Sequence, residues 1–320
     1  MTTPVADLLR ILVIVGPTAV GKSETALIVA RELDCEIVSA DSRQVYRGLE
    51  IGSGAPTPEE RAEIVHHLVA TDSPDCRITA GDFARRARSI VEEIATRGKL
   101  PLLVGGSGLY IKAIIDGLAE TPPSDLNIGR SLQEELASRG VKALLAELQE
   151  IDPEYSILVG ERDLKRLFRA LEVWRITGKR LSDWHKDSRQ PAWIEPLIYG
   201  LERPLLERRE MIRNRVHSMI KHGWIAETRE LMHTTGIPAA AAEAVGYGQI
   251  ARAIAGEISF EQAIEETIIA TQQFAKRQMT WFRADKRIIW LTGSGPSASH
   301  QWAEEILNGY RRLAEIETGI

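Results

Sequence analysis

The stretch Ile11-Leu12-Val13-Ile14-Val15-Gly16-Pro17-Thr18-Ala19-Val20-Gly21-Lys22-Ser23 narrows the folds open to this chain more than any other. Its aliphatic, β-branched start predicts a strand buried on both faces of a parallel sheet. Gly16-x4-Gly21-Lys22-Ser23 then has the full spacing of a phosphate-binding loop (P-loop), and Glu24–Leu33 has helical character. Strand, glycine loop and helix in that order are the context the motif requires. Residues Gly16, Pro17, Thr18, Ala19, Val20, Gly21, Lys22 and Ser23 are therefore expected to hold phosphate oxygens. Glycines let successive N–H groups turn inward, and the helix N-terminus adds about half a positive charge. Lys22 supplies a point charge, and the Ser23 hydroxyl is a standard Mg2+ ligand. Such a loop binds a polyphosphate or diphosphate without specifying which.

The rest of the chain fits an α/β fold. Glu36–Ala40 and Leu100–Val104 read as further strands, ending at Asp41 and at Gly105-Gly106, with helical text over Asp82–Arg97 between them. Strands alternating with helices predict a parallel sheet. A fourth strand, Pro196–Leu201, comes only after Thr121-Pro122-Pro123-Ser124-Asp125 and a long helical stretch. Residues 119–190 are thus expected to form a mostly helical insertion, leaving 1–118 and 191–320 as the core domain. Within the insertion, Leu164, Leu167, Phe168, Leu171 and Trp174 form one apolar helical stripe. Helices are predicted again over Leu205–His222 and Phe260–Ala284, then a last apolar run at Arg287–Leu291.

Composition excludes several classes. Forty Lys and Arg against forty-five Asp and Glu leave a net charge of −5, which argues against coating nucleic acid by bulk charge but leaves local basic grooves open. Two cysteines, Cys35 and Cys76, make no disulfide framework, so a reducing interior is expected. No apolar run approaches the ~18 residues of a membrane span. Met1–Arg10 lacks the charged-then-apolar order of a signal peptide. The expectation is a cytoplasmic protein without a membrane partner, acting as a monomer.

Other candidates gather around the loop. In an open parallel sheet, ligands bind beyond the carboxyl ends of the strands, so Asp41-Ser42-Arg43-Gln44-Val45-Tyr46 and Gly105-Gly106-Ser107 share the rim with the phosphate loop. Asp41 could sit beside Mg2+ as in a hydrolytic ATPase, or accept a proton directly. Gln44 can pair with a base edge, and Ser107 can donate or accept. Arg215 falls at the edge of the Ile212/Val216/Met219 stripe, where a charge needs a carboxylate or a ligand phosphate. Arg162, Arg166 and Arg169, and likewise Gln272, Lys276, Thr280 and Arg283, share helical faces that could track RNA. The guanine-reading Asn-Lys-x-Asp tetrapeptide is absent from the sequence.

With these residues in place, the chain resembles the bacterial tRNA dimethylallyltransferases. The resemblance runs through Gly16–Ser23, Asp41–Tyr46, Ile51-Gly52-Ser53, Leu102–Ser107, Asp163–Val173, Val245-Gly246-Tyr247 and Lys276–Arg283. It implies a P-loop NTPase-like core with a helical insertion. The implied reaction moves a dimethylallyl group from its diphosphate to N6 of adenosine 37 in the tRNA anticodon stem–loop, with Mg2+ as cofactor. Asp41, Ser107 and Arg215 would be catalytic, and residues 16–23 would hold the diphosphate. Contacts to tRNA would come from Asp41, Ser42, Arg43, Gln44, Lys165, Arg166, Arg169, Tyr247, Lys276 and Arg277. The family pattern is broken at Ala55, Gly129, Met211 and Gly248, where basic residues are usual, and Ser107 stands for a usual Thr. A small-molecule or nucleotide kinase and an adenylate prenyltransferase are the alternative enzymes, and a non-catalytic RNA-binding protein is the alternative without chemistry.

Overall fold

A computed structural model describes residues 8–187, 193–235 and 237–318 of the chain. The expectation for the first seven residues and the end of the insertion at 188–190 lie outside the described residues. Two compact units form: Met1–Ile115 with Ala192–Ile320, and Asp116–Pro191. The stretch expected as an insertion falls inside the second.

In the first unit, β1 (Leu9–Val15), β2 (Cys35–Ala40), β3 (His66–His67), β4 (Leu100–Gly105), β5 (Ile194–Glu202) and β6 (Ile289–Thr292) make one sheet in the order β3-β2-β4-β1-β5-β6. Every pairing is parallel. Residues 11–15 are wholly buried because both faces of β1 are covered. Ile11, Val13 and Val15 face one core with Phe83, Val91 and Ile114, from helices Ala80–Thr96 and Gly108–Ile115. Leu12 and Ile14 face the other with Val29, Trp302 and Ile306, from helices Lys22–Glu32 and Ala298–Thr318. Continuous apolar runs are what such doubly covered strands require.

Register is what places the functional rim. Val15 pairs with Gly105, and Gly105 with Ala40, so β1, β2 and β4 end level. The loops that follow, carrying Gly16–Ser23, Asp41–Gln44 and Ser107, open side by side. A third apolar cluster stands over this edge: Val45 and Leu49 pack with Ile212, Val216, Trp224, Tyr247, Ile268 and Ala275.

The second unit is helical, with Leu126–Ile151, Pro153–Ser156, Leu164–Thr177 and Leu181–Asp187 packed around Leu132, Leu144, Leu148, Leu167 and Leu171. Three local expectations need correction. Leu164 is exposed, so the apolar stripe begins at Leu167. Arg162 precedes its helix, which starts at Leu164 behind the Asp163 cap, so it does not share a helical face with Arg166 and Arg169. The Ala298–Thr318 helix was not anticipated. Its buried positions, Ala298, Ser299, Trp302, Ala303, Ile306 and Leu307, include two alanines and a serine, a sparse apolar signal. Cys35 and Cys76 are unpaired, and no helix among the described residues is long and apolar enough to cross a membrane.

Candidate active site

The three loops enclose a cavity of about 530 Å³. Of the expected phosphate loop, Thr18–Ser23 line it, and Gly16 and Pro17 do not. The loop shape has local causes. Gly21 sits at φ 116°, a backbone conformation open in practice to glycine, and Ala19 is held at φ 61° against its steric preference. Two buried polar side chains keep it there. Gln278 accepts a hydrogen bond from the Thr18 N–H (2.9 Å) and donates one to the Gly106 carbonyl (2.9 Å), tying the loop to the end of β4. From behind, Arg203, 3% exposed, donates to the Val20 carbonyl (2.8 Å) and stacks on Trp302.

Lys22 curls onto its own loop, donating to the carbonyls of Gly16 (3.0 Å) and Pro17 (2.8 Å). The Lys22 side chain is half-buried, and burial of its ammonium end pushes its pKa down to about 7. The neighbouring Arg215 cation adds to that push and Asp41 opposes it. Arg215 donates to the Ser53 carbonyl (3.1 Å), and burial likewise lowers its pKa against the pull of Asp41. Among the described residues neither cation has an ion-pair partner within 4.0 Å. Two half-buried cations with carbonyl partners, both lining one cavity, can receive an anion.

Asp41 folds into a turn that its own carboxylate closes: Oδ1 accepts from the N–H groups of Arg43 (2.8 Å) and Gln44 (3.4 Å). Oδ2 makes no hydrogen bond among the described residues, so one oxygen is left to take a proton. Ser107 accepts from the Ser42 N–H (3.0 Å), which leaves its own hydroxyl hydrogen to donate. Gln44 accepts from Ser39 (2.8 Å) and donates to the Gly54 carbonyl (3.0 Å), keeping one donor and one acceptor in reserve. Arg43 is anchored on the Ala240 carbonyl and Glu243. The Ser23 hydroxyl lines the cavity without a hydrogen-bond partner among the described residues. No cluster of three His, Cys, Asp or Glu side chains that could hold a metal was found among them.

The expected RNA contacts divide. Ser42, Arg43, Gln44 and Arg277 line the cavity with Asp41, and Lys276 is exposed on the same helix as Arg277. Lys165 and Arg166 are exposed in the helical unit. Arg169 is turned inward, donating to Thr121, the Pro122 carbonyl and Glu172, so its donors are committed to the fold. Tyr247 is 0% exposed and its hydroxyl donates to Glu227 (2.7 Å), so the expected contact with RNA is corrected to an internal one.

Reading the sequence missed two features. One is the apolar wall of Met211, Val216, Met219, Trp224 and Phe274, which gives the cavity room for a hydrocarbon group. The other is Gln278. The available signal was its phase: Ala275, Gln278, Met279 and Phe282 are buried on one helical stripe, and an amide there must find partners.

Comparison with known proteins agrees over most of the chain. A family model described as IPP transferase matches residues 44–285. The tRNA dimethylallyltransferase of Heliobacterium modesticaldum is 42% identical over 285 residues, 88% of each chain. That of Methylococcus capsulatus is 40% identical over 307 residues, covering 94% of this chain and 98% of its own. The crystal structure of a full-length tRNA isopentenylpyrophosphate transferase from Bacillus halodurans superposes with a TM-score of 0.70 at 30% identity, covering 97% and 99% of the two chains. A eukaryotic dimethylallyltransferase captured acting on tRNA shares the fold, with a TM-score of 0.75 at 23% identity over 89% of this chain and 74% of its own.

Proposed function

We propose, from the premise that this chain belongs to the IPP transferase family, that it transfers a dimethylallyl group to tRNA. The donor in this reading is dimethylallyl diphosphate, and the acceptor is N6 of adenosine 37 in the anticodon stem–loop. The observation that carries the reading is one cavity in which, among the described residues, Lys22 and Arg215 lack carboxylate partners within 4.0 Å and Asp41 has an unused oxygen.

The Thr18–Ser23 amides, Lys22 and Arg215 bind the diphosphate and stabilise the charge that grows as it departs. The C1–O bond of the donor breaks and a C1–N6 bond forms. The proton leaving N6 goes to Asp41, a contribution of roughly 10²–10⁴-fold for a positioned base. Ser107 orients the amine or a diphosphate oxygen through its free hydroxyl hydrogen. The wall of Met211, Val216, Met219 and Phe274 takes the hydrocarbon and excludes water from a cation-like carbon. The adenine has to leave its stack, at a cost of a few kcal/mol, which is least in a single-stranded loop. The reserve donor and acceptor of Gln44 suit a purine edge. Mg2+, held by Ser23 and phosphate oxygens, would neutralise charge on the leaving group. The reading places the enzyme with its tRNA in the cytoplasm.

Incubation with labelled dimethylallyl diphosphate and unmodified tRNA, followed by nucleoside analysis, tests this. Label is expected on N6 of adenosine 37. Consumption of ATP with phosphorylation of a small molecule, and no labelled nucleoside, would instead make the chain a kinase.

A further inference from the structure

The wall opposite the phosphate loop contains a short turn with unusual support. Helix Glu50–Ser53 begins at Leu49, which offers no side-chain cap, so the N–H groups of Ile51 and Gly52 need acceptors from elsewhere. Both are taken by one distant carboxylate: Glu227 Oε2 accepts from Ile51 (2.7 Å) and Oε1 from Gly52 (2.9 Å). The Tyr247 hydroxyl donates to the same Oε1 at 2.7 Å. Burial raises the pKa of the Glu227 carboxyl, and the three donors offset only part of that rise. Trp224, one turn ahead of Glu227, packs its ring edgewise on Tyr247 at 5.5 Å.

The other end of the same turn meets the cavity. Ser53 gives its carbonyl to Arg215, and Gly54 gives its carbonyl to Gln44. Gly54 has φ +62°, and a Cβ built there would lie 2.0 Å from Arg215 Nη2, so bare backbone lies against the guanidinium. Arg215 has no ion-pair partner within 4.0 Å among the described residues; Asp41 attracts it from farther off, and its hydrogen bond goes to the Ser53 carbonyl. Its direction therefore depends on where the Ser53 carbonyl sits, and the carbonyl moves with a turn whose first amides are tied to Glu227.

We propose that Glu227 and Tyr247 are positioning residues for Arg215, acting through the 51–54 turn; the proposal rests on the prenyl-transfer reading of the cavity. Neither side chain touches substrate. Together they hold the guanidinium where the diphosphate charge develops, which explains a tyrosine with no exposed surface in a stretch otherwise matched to RNA-handling relatives.

A double-mutant cycle tests it. Glu227→Gln keeps the volume but sets an amide N–H against a backbone N–H. We expect it to lower kcat by about 10–100-fold with KM for tRNA within about threefold, and to cause little further loss once Arg215→Met is present. Tyr247→Phe keeps the packing and the charge, and is expected to cost about two- to tenfold with the same dependence on Arg215. An equal fold-loss from either variant in the wild-type and Arg215→Met backgrounds would show that the pair acts independently of Arg215 and overturn the proposal, as would unchanged kcat in both single variants. If Arg215→Met alone leaves turnover intact, the reading of the cavity fails, and the proposal with it.

Discussion

The cations of the cavity and those of the helical unit behave as opposites. In the helical unit, Arg175 donates to Glu135 (2.6 Å) and Glu147 (2.9 Å), and Arg139 reaches the same two carboxylates (2.8 and 2.9 Å). The Arg175 pKa is raised, with its hydrogen bond to Glu135 as the main cause, and the Glu135 carboxyl is pushed down to about 2, chiefly by that same bond. In the cavity, Lys22 and Arg215 have carbonyl partners, and both pKa values are lowered by burial. What differs is whether a carboxylate has been supplied. A saturated arginine is a strut, whereas an enclosed cation without one is poised for an anion from outside.

The largest effect should come from the cavity's only-half-used acid. Asp41→Asn keeps the turn that Oδ1 closes, so tRNA affinity should stay within about tenfold while kcat falls by roughly 10²–10⁴-fold. Binding assays and single-turnover rates measured side by side decide this, and equal losses in both would make Asp41 a structural residue.

Next in size is the pH response of donor binding. Because the Lys22 pKa is lowered in the free site, diphosphate should raise it and take up a proton on binding. Affinity should then be full below pH 7 and fall as pH rises, by about tenfold between pH 6 and pH 8 for one linked proton. Calorimetry in buffers of different ionisation enthalpy reads the uptake directly. Lys22→Met should abolish it, and the same uptake in that variant would assign the proton to the ligand.

The smallest effect belongs to the struts. Arg175→Met should leave kcat unchanged and cost about 1 kcal/mol of stability, since its partners keep partial access to water. Glu135 has a depressed carboxyl pKa in the fold, so its contribution is present above the ordinary range near 4.3 and fades as pH falls toward 2. Chemical denaturation at neutral and acid pH compares the two, and a loss of turnover in Arg175→Met would erase the contrast between the regions.

Much of this was legible beforehand because it is local. The strand, the glycine loop and the helix of residues 11–33 organise within a few turns of chain, and the Asp41 turn closes on residues two and three positions away. The parallel sheet followed from alternating runs. The Ala298–Thr318 helix stayed hidden because half of its buried positions, Ala298, Ser299 and Ala303, are small residues that give a weak apolar signal. Tyr247 was placed at the RNA by the resemblance and Arg169 by its helical face as well, and only their burial and partners reveal that each serves the fold instead.

Residue spacing alone determined that this chain would form a strand, a glycine loop and a helix, with the loop on the carboxyl edge of a sheet, since backbone dihedrals and neighbouring amides suffice for that. Tertiary structure decided which cations remain without carboxylates among the described residues, which amide braces the loop, and which acid holds the turn beneath Arg215. Those outcomes depend on contacts such as Arg215 with Ser53 and Glu227 with Ile51, made between residues 162 and 176 positions apart. No local pattern encodes such pairs; they exist because the packed core brings distant segments within hydrogen-bonding reach.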